Sequence, residues 1–189
     1  MIFDPERFTA VKSIYDINTR QMRARGVRIF CFDIENTLGP MGLTSLRTRV
    51  YRHLCGIQDE GFGICFGTNA LNPHLRQLGE AFHRRKPDDM VPVVMQPTDS
   101  GLPFGIGKAP KKPQREFFDE MRRRLQNPPP ATVAMVGDKF RADVLGAINA
   151  GMHGILVNPI GPDLRKEWLV GMRKKDEQLI ATYGIKRAT

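Results

Sequence analysis

The sequence predicts an α/β fold in which a parallel sheet of about five strands is flanked by helices. Strand-sized apolar runs recur along the chain, and segments with a helical pattern separate them. This alternation is typical of a parallel sheet with helices packed on its faces. The length of 189 residues suits one domain, so we expect a single domain over residues 1–189 that includes a basic C-terminal helical segment at about 163–189.

The predicted elements follow one another in regular order. Five apolar runs predict strands at residues 27–32, 63–66, 91–95, 132–136 and 154–157. The remaining segments predict helices at about 44–55, 72–82, 113–126, 141–150 and 163–178. Asn72 and Pro73 are suited to begin the second helix, and Gly151 is suited to end the fourth. The turn-rich residues 86–113 predict long surface loops.

Composition favours a folded cytoplasmic protein. Hydrophobic residues make up 41% of the chain and charged residues 26%, which differs from the composition of disordered proteins. No apolar run approaches the ~18 to 20 residues that cross a bilayer. The first residues, MIFDPERF, contain acids where a secretory signal would be apolar. The three cysteines lack CxxC spacing, so we expect neither disulfides nor structural zinc.

The net charge of +9 narrows the class of partner. It arises from 29 Lys and Arg residues against 20 Asp and Glu residues. A field of this sign attracts polyanions such as nucleic acid, acidic lipid headgroups or phosphorylated metabolites. Charge alone does not choose among them.

Polar residues stand at the ends of the predicted strands or close after them. These residues are Asp33, Glu35, Thr68, Asn69, Asp138 and Asp143. Lys111 and Lys112 precede the third predicted helix. Each residue taken singly has an ordinary explanation as a helix cap, a loop residue or a solvated charge. A parallel sheet, however, brings the carboxyl ends of its strands to one edge, where ligands bind.

The carboxylates at this edge predict a magnesium site. Asp33 and Asp138 would repel each other unless a divalent cation lay between them, and oxygen ligands of this kind suit Mg²⁺. A lysine and the Thr68 hydroxyl beside that cation would hold the oxygens of a phosphoryl group. The chemistry predicted is phosphoryl transfer. Placement of Asp33 and Asp138 on opposite sides of the molecule, or a salt-paired Asp33 sealed away from solvent, would overturn the predicted hydrolase.

Four segments resemble the motifs of the haloacid dehalogenase-like (HAD) phosphatases. They are DIENTL, GTN, KKP and VGDKFRADVLGAINAGM, in that order. The stretches VKSIYDINTRQMRARGVRIFCFDIENTL and DVLGAINAGMHGILVNPI are similar to the YqeG-like subfamily IIIA branch, which includes phosphatidylglycerophosphate phosphatases. The resemblance covers about residues 10–160 and implies a Rossmann-like core. Residues 38–67 and 70–111 are too short to supply a full cap domain as well as core elements.

The resemblance also implies roles for individual residues. Asp33 matches the nucleophile that forms an aspartyl-phosphate, which water then hydrolyses. Mg²⁺ would be bound by Asp33, by the main-chain carbonyl of Glu35 and by Asp138. Asp143 matches an acid that orients the motif lysine or a metal-bound water.

Thr68, Asn69 and Lys112 match the positions that bind the transferring phosphate. Two of these assignments are open by one residue. Gly67 is the alternative to Thr68, and Lys111 is the alternative to Lys112.

Glu35 departs from the family pattern, in which this position is normally Asp. The residue protonates the leaving oxygen and later deprotonates the attacking water. The glutamate carboxyl reaches about one methylene further, and a misplacement of ~1 Å lowers the rate on the order of a hundredfold, or ~2.7 kcal/mol. We therefore expect a slow phosphatase.

Three basic clusters, at residues 84–86, 122–124 and 173–175, bear on the substrate. They are either solvated faces or a surface that attracts an anionic membrane, at about 1 kcal/mol per cation. Trp168, Leu169 and Met172 lie among cations in the last predicted helix, which would suit a membrane surface or packing against the sheet. An anionic membrane surface would suit a lipid phosphate substrate and peripheral membrane contact, and the resemblance to the subfamily branch alone favours phosphatidylglycerophosphate.

Three alternatives compete with this interpretation. A receiver domain also has acids around Mg²⁺, but its last motif is a Lys, whereas this chain ends with GDKFRAD. A catalytically impaired HAD-like adaptor would bind RNA, a ribosome or a membrane through its basic faces, although the sequence has no specific nucleic-acid motif. A dehalogenase needs no Mg²⁺ and would not require both Asp138 and Lys112.

Overall fold

Six parallel strands form one sheet in the computed structural model, which describes residues 2–40, 45–69, 94–95, 110–160 and 167–189. The strands are β1 (Phe8–Ala10), β2 (Ile29–Phe32), β3 (Gly63–Gly67), β4 (Val94–Met95), β5 (Val133–Gly137) and β6 (His153–Leu156). Their order across the sheet is β1-β6-β5-β2-β3-β4. The predicted parallel α/β fold is confirmed, and it is Rossmann-like.

Strand β2 lies at the centre of the sheet, between β5 and β3. Ile29 is in register with Gly63 of β3 and with Val133 of β5. All four residues of β2 are buried. Because the three strands run parallel and in register, their carboxyl ends meet at one edge of the sheet, and the residues that follow them are neighbours.

Helices cover both faces of the sheet. The described helices are α1 (Thr19–Ala24), α2 (Thr48–Asp59), α3 (Arg115–Arg124), a π-helix (Phe140–Leu145) that continues into α4 (Gly146–Asn149), and α5 (Glu167–Thr182). Short 3₁₀ turns lie at Pro5–Arg7, Ile14–Asp16 and Pro130–Thr132. Four of the five predicted helices are thereby located, although α2 begins and ends later along the chain than the sequence pattern indicates.

Side chains of β2 alternate between two hydrophobic clusters, as the period of a strand requires. Phe30 and Phe32 pack in one cluster with Leu54 of α2. Ile29 and Cys31 pack in the other cluster, to which α3 contributes. Burying each large apolar side chain contributes about 1.5–3 kcal/mol. The two clusters pack helices against both faces of the sheet and thereby position the carboxyl end of β2.

A third cluster docks the C-terminal helix against the π-helix. Phe140 and Val144 of the π-helix are buried with Ile180 of α5, and Tyr183 packs beside them. The predicted basic C-terminal segment therefore lies against the chain that follows β5. This contact brings residues after position 170 close to the predicted acidic site.

Two elements escaped the sequence prediction. Strand β1 has only three residues, all half-buried, so it leaves no apolar run to detect. Helix α1 has six residues, and its first turn is capped by the Asn18 side chain, which accepts a hydrogen bond from the Gln21 N–H. Both elements are stabilised mainly by their contacts with the rest of the fold.

Several predicted features lie outside the described residues. They are the helix at 72–82 with Asn72 and Pro73, the basic cluster at 84–86, most of the turn-rich stretch and the side chains of Trp168, Leu169 and Met172. The absence of a full cap domain stays a prediction, because much of residues 70–111 lies outside the described part of the chain. None of the described helices is both long and apolar enough to span a bilayer.

The basic cluster at 122–124 is engaged in ion pairs on its own helix. Arg123 and Arg124 both contact the Glu120 carboxylate, at 2.6 Å and 3.0 Å. Arg122 lies 3.5 Å from Asp119 and donates to the Pro128 carbonyl oxygen. These contacts favour a solvated face at this cluster over a surface reserved for an anionic partner.

Candidate active site

Asp33 is the first residue after β2 and continues the hydrogen bonding of that strand. Its N–H donates to the Val136 carbonyl oxygen at 2.8 Å, so its backbone is held in the middle of the sheet. The side chain is buried, with only 4% of the residue exposed. The sequence pattern alone placed Asp33 at the sheet edge, and the structure agrees.

The chain turns sharply after Asp33. Asn36 adopts a positive φ of 62°, a conformation that asparagine tolerates better than most residues. Its N–H donates to the Gly39 carbonyl oxygen at 2.7 Å, and the Ile160 N–H donates to the Asn36 carbonyl oxygen at 2.7 Å. Glu35, just before this turn, is half-buried and forms a backbone bridge with Gly39. The turn therefore keeps Glu35 close to Asp33 in a fixed backbone position.

Residues after β3 hold Lys112 in place. The Asn69 side chain contacts the Lys112 backbone twice, because its amide donates to the Lys112 carbonyl oxygen at 3.1 Å and its oxygen accepts from the Lys112 N–H at 2.9 Å. Thr68 is buried at the end of the same strand. The described contacts of Asn69 are thus with the lysine backbone, so this residue orients Lys112.

Lys112 lies between two carboxylates. Its Nζ is 2.7 Å from Asp33 Oδ1, 2.6 Å from Asp143 Oδ1 and 2.7 Å from the Gly67 carbonyl oxygen. Burial by itself would lower the pKa of Lys112, but the carboxylates of Asp143 and Asp33 outweigh burial and raise that pKa above its usual value. Lys112 is therefore a buried ammonium that is held by two carboxylates and one backbone carbonyl oxygen.

The tandem lysines separate clearly in the structure. Lys112 is buried, whereas Lys111 is exposed. The backbone N–H of Lys111 donates to Gln114 Oε1 at 2.8 Å, outside the cluster of carboxylates. Gly67 contributes its backbone carbonyl to Lys112, and Thr68 contributes the side chain at the strand end. The structure thus brings the Lys112 side chain, and not that of Lys111, to the carboxylates, whereas the choice between Thr68 and Gly67 as the phosphate-binding residue stays a prediction.

Asp143 reaches the site from the π-helix after β5. Its Oδ2 accepts from the Lys139 N–H at 3.0 Å, which ties the carboxylate to the start of that helix. Gly137 makes room for it, because a Cβ at position 137 would overlap the Asp143 carboxyl group. Single π turns are frequent at functional sites. The close packing of the Asp143 carboxyl group thus requires a glycine at position 137.

Three carboxylates converge at this edge. Asp33, Asp138 and Asp143 each offer an oxygen, and the three oxygens lie within 4.8 Å of one another. Within the described part of the chain, Asp138 Oδ1 is buried and has no hydrogen-bond partner. An unpartnered buried carboxylate oxygen is costly, and a bound cation would satisfy it. These hard oxygen donors fit a divalent cation of the Mg²⁺ type.

The electrostatics of the carboxylates agree with such a fit. Burial, followed by the neighbouring Asp143 and Asp33, raises the pKa of Asp138 to about 7. Burial also raises the pKa of Asp33, although Lys112 opposes the effect. Two acids whose charged forms are destabilised by burial and by each other are the arrangement that a divalent cation relieves.

The ion pair of Asp33 is the feature that argues most directly against a nucleophile. The residue is 4% exposed and paired with a lysine, and a salt-paired Asp33 sealed away from solvent is the arrangement that was expected to overturn the hydrolase. The partner, however, is Lys112, which the same motifs place in the site, and not a residue from elsewhere. The pairing therefore belongs to the predicted cluster, and access to Asp33 becomes the point to test.

Sequence reasoning missed the residues that the C-terminal segment contributes. Arg173 of α5 lies 3.3 Å from Asp138 Oδ2, through its Nη2 atom. Arg187 donates to the Asp138 carbonyl oxygen, and Asp176 accepts from the backbone just beyond Lys139. The cluster at 173–175 appeared only as a charge run, and no spacing in the sequence signals these contacts.

Comparison with known proteins agrees with the geometry. The HAD-hydrolase-like family model matches residues 110–159, which contain Lys112, Asp138 and Asp143. The probable phosphatase YqeG of Bacillus subtilis is 25% identical over 158 residues, which cover 84% of this chain and 78% of that protein. The chain is thus similar to HAD hydrolases over residues 110–159 and to a probable phosphatase over most of its length.

Two further HAD comparisons are informative. The glyceraldehyde 3-phosphate phosphatase of Methanothermobacter thermautotrophicus is 52% identical over 48 residues, which cover 25% of this chain and 21% of that protein. The p-nitrophenyl phosphatase from Archaeoglobus fulgidus has the same fold, with a TM-score of 0.50, 14% identity and coverage of 85% of this chain and 94% of that chain. The first comparison is a local sequence similarity, and the second shows that the fold is shared.

Proposed function

We propose that this protein is a Mg²⁺-dependent phosphate monoester hydrolase with Asp33 as its nucleophile. The observation that carries the proposal is the convergence of three carboxylates within 4.8 Å, beside a buried lysine, at the carboxyl edge of the sheet. Cation-held acids next to a fixed positive charge suit the binding and transfer of a phosphoryl group. The resemblance to HAD phosphatases supports the same chemistry.

Asp33 carries the covalent step. Lys112 holds Oδ1 at 2.7 Å, which orients the carboxylate for attack through Oδ2. A bond forms between this oxygen and phosphorus while the bond from phosphorus to the ester oxygen breaks. Glu35 gives its proton to the leaving oxygen, later takes one from water, and that water attacks phosphorus to release phosphate and restore Asp33.

Lys112 acts mainly through its charge. Its Nζ donates hydrogen bonds to Asp33 and to the Gly67 carbonyl oxygen, and it forms an ion pair with Asp143. A direct hydrogen bond to phosphate would have to replace one of these contacts. In the arrangement described, the ammonium instead fixes Asp33 and offsets the negative charge of the approaching phosphate, while Thr68 supplies a hydroxyl for it.

The residues that would hold Mg²⁺ are Asp33 and Asp138, with the main-chain carbonyl of Glu35. When bound, the ion neutralises charge on the phosphate oxygens and on the acids around it. Asp143 lies within reach of the same point and also contacts Lys112, so it links the cation site to the lysine. This double contact supports its proposed role in orienting Lys112.

The substrate is proposed only as a phosphorylated molecule. The two curated relatives are named for phosphatase activity, one of them toward glyceraldehyde 3-phosphate. Phosphatidylglycerophosphate is a candidate through the subfamily resemblance. The ion pairs of Arg122, Arg123 and Arg124 do not favour a lipid surface at that face.

Release of p-nitrophenol from p-nitrophenyl phosphate, measured with and without Mg²⁺, tests the proposal. The wild type is expected to hydrolyse the ester slowly and only with the metal, and Asp33→Asn should lower kcat by about 10³-fold or more. Asp119→Asn, an acid-to-amide change on the half-exposed side of α3, is the matched control and should keep its activity. Equal rates for Asp33→Asn and the wild type would remove the nucleophile.

A further inference from the structure

Two side chains of the C-terminal segment form hydrogen bonds with the backbone at and just after Asp138. Asp176 lies on α5, and Arg187 lies in the tail that follows it. Asp138 begins the short loop between β5 and the π-helix. Residues 138–142, which include the first three residues of the π-helix, connect the strand end to Asp143, so their placement decides where two of the three acids lie.

Asp176 binds the far end of the loop. Its Oδ2 accepts from the Phe140 N–H at 2.8 Å, and its Oδ1 accepts from the Arg141 N–H at 2.7 Å. The first amides of a helix lack partners within the helix, and the residue before this one, Lys139, gives no side-chain cap. A buried acid from another helix therefore supplies the cap that the local sequence lacks.

Arg187 binds the near end of the loop. Its Nη2 donates to the Asp138 carbonyl oxygen at 3.1 Å, and its Nη1 donates to the Val157 carbonyl oxygen at 3.0 Å. Glu177 holds the same guanidinium through Nε at 2.9 Å. The planar fork of arginine fits two carbonyls at once, whereas a lysine would reach only one at a time. Arg187 thereby ties the end of β5 to the end of β6.

We propose that Asp176 and Arg187 are positioning residues that set the affinity of the carboxylate site for its divalent cation. The inference rests on the proposed metal site of Asp33 and Asp138. Asp176 and Arg187 act on the backbone of the loop, from opposite ends. Freed from them, the loop would place the Asp138 and Asp143 carboxylates less accurately, and affinity for a cation depends on that accuracy.

Titration with Mn²⁺ alone, followed by the electron paramagnetic resonance signal of the free ion, measures this affinity without any turnover. Asp176→Asn keeps the shape of the side chain but loses one acceptor, and Arg187→Lys keeps the charge but loses the fork. Each change is expected to raise the Kd for Mn²⁺ about tenfold in protein that remains folded. Lys186→Ala, an exposed cation beside Arg187, is the matched control and should leave the Kd unchanged.

The outcomes separate the two proposals. A wild type that binds Mn²⁺ together with variants of unchanged Kd would overturn the positioning role and leave the phosphatase intact. A wild type that binds no Mn²⁺, or binds it as well after Asp138→Asn, would overturn the metal site and this inference together. A lower melting temperature with an unchanged Kd in both variants would mark a purely structural contact and also count against the inference.

Discussion

One carboxylate oxygen of Asp33 and one of Asp138 lie within 4.8 Å of each other, although the two residues end different strands. Their proximity follows from the register of the sheet, in which Phe32 is paired with Val136 on the neighbouring strand. Asp33 directly follows Phe32, and Asp138 stands two residues after Val136, so both leave the sheet at the same edge. Two acids that are remote in sequence thus become one site because β2 and β5 are parallel neighbours.

Gly137→Ala adds only one methyl group, but it should lower both the stability of the protein and the affinity of the carboxylate site for a cation. The added Cβ would overlap the Asp143 carboxyl group, which must then move away from Lys112. We expect a loss of about 1–3 kcal/mol in the free energy of unfolding, measured in urea, and a higher Kd for Mn²⁺. Gly56→Ala is the control.

A Cβ at Gly56 of α2 meets no atom within 4 Å, so alanine there should stabilise the protein by roughly 0.5–1 kcal/mol. Equal effects of the two substitutions would contradict the packing of Asp143 against Gly137.

Lys112→Met should destabilise the folded protein strongly. The change leaves Asp33 and Asp143 buried without their shared cation, and breaking a buried ion pair in this way costs about 3–5 kcal/mol. Chemical denaturation measures the difference. Lys111→Met removes the same charge from an exposed neighbour and should change the free energy of unfolding by less than about 0.5 kcal/mol.

If the two lysine variants were equally stable, the assignment of Lys112 to the buried cluster would be wrong.

Glu35→Asp should raise kcat. The shorter side chain restores the family's usual acid at a backbone position that the turn at Asn36 already fixes. A gain of up to about a hundredfold with an unchanged KM is expected, since the proton transfer and not the binding is improved. Steady-state hydrolysis of p-nitrophenyl phosphate measures both constants. A fall in kcat would show that Glu35 is already fitted to its place.

His153 should make the protein less stable as the pH falls. Burial, followed by Arg7 and Arg25, lowers the pKa of this residue, although a hydrogen bond to the Ala131 backbone and the nearby Asp4 oppose the effect. In the unfolded chain, His153 binds a proton near the ordinary histidine pKa of 6.5, whereas in the folded protein it binds that proton only at a lower pH. The stability is therefore present above that value and is lost as the pH falls through the lowered pKa.

Urea unfolding at about pH 7.5 and about pH 5 measures the slope, and His153→Gln should flatten it. A slope that survives the substitution would assign the pH dependence to other groups.

Strand ends were the part of the site that the sequence could reveal. Asp33 and Asp138 follow apolar runs whose length and order predict a parallel sheet, and topology alone then brings them together. The choice between Lys111 and Lys112 was beyond reach, because adjacent residues share every feature of composition. It depends on which backbone the Asn69 side chain contacts.

The contacts that the C-terminal segment makes with the site could not be predicted from the sequence. Asp176 and Arg187 act through the backbone of a distant loop, and such contacts are set by the docking of α5 on the π-helix. That docking uses a few apolar side chains in a segment whose sequence reads as basic and solvated. Strand β1 was missed for a related reason, since three half-buried residues gain their strand geometry from pairing with β6.

The burial of Asp33 places the strongest demand on the proposed function, because a substrate must reach a residue that is 4% exposed and already paired. Beryllium fluoride with Mg²⁺ mimics an aspartyl-phosphate, and a crystal structure of the protein with both shows which carboxylate accepts it. We expect the fluoride adduct on Asp33 and the metal at about 2.1 Å from oxygens of Asp33 and Asp138. An unmodified Asp33 still held by Lys112, with the metal bound elsewhere or not at all, would contradict the proposed hydrolase.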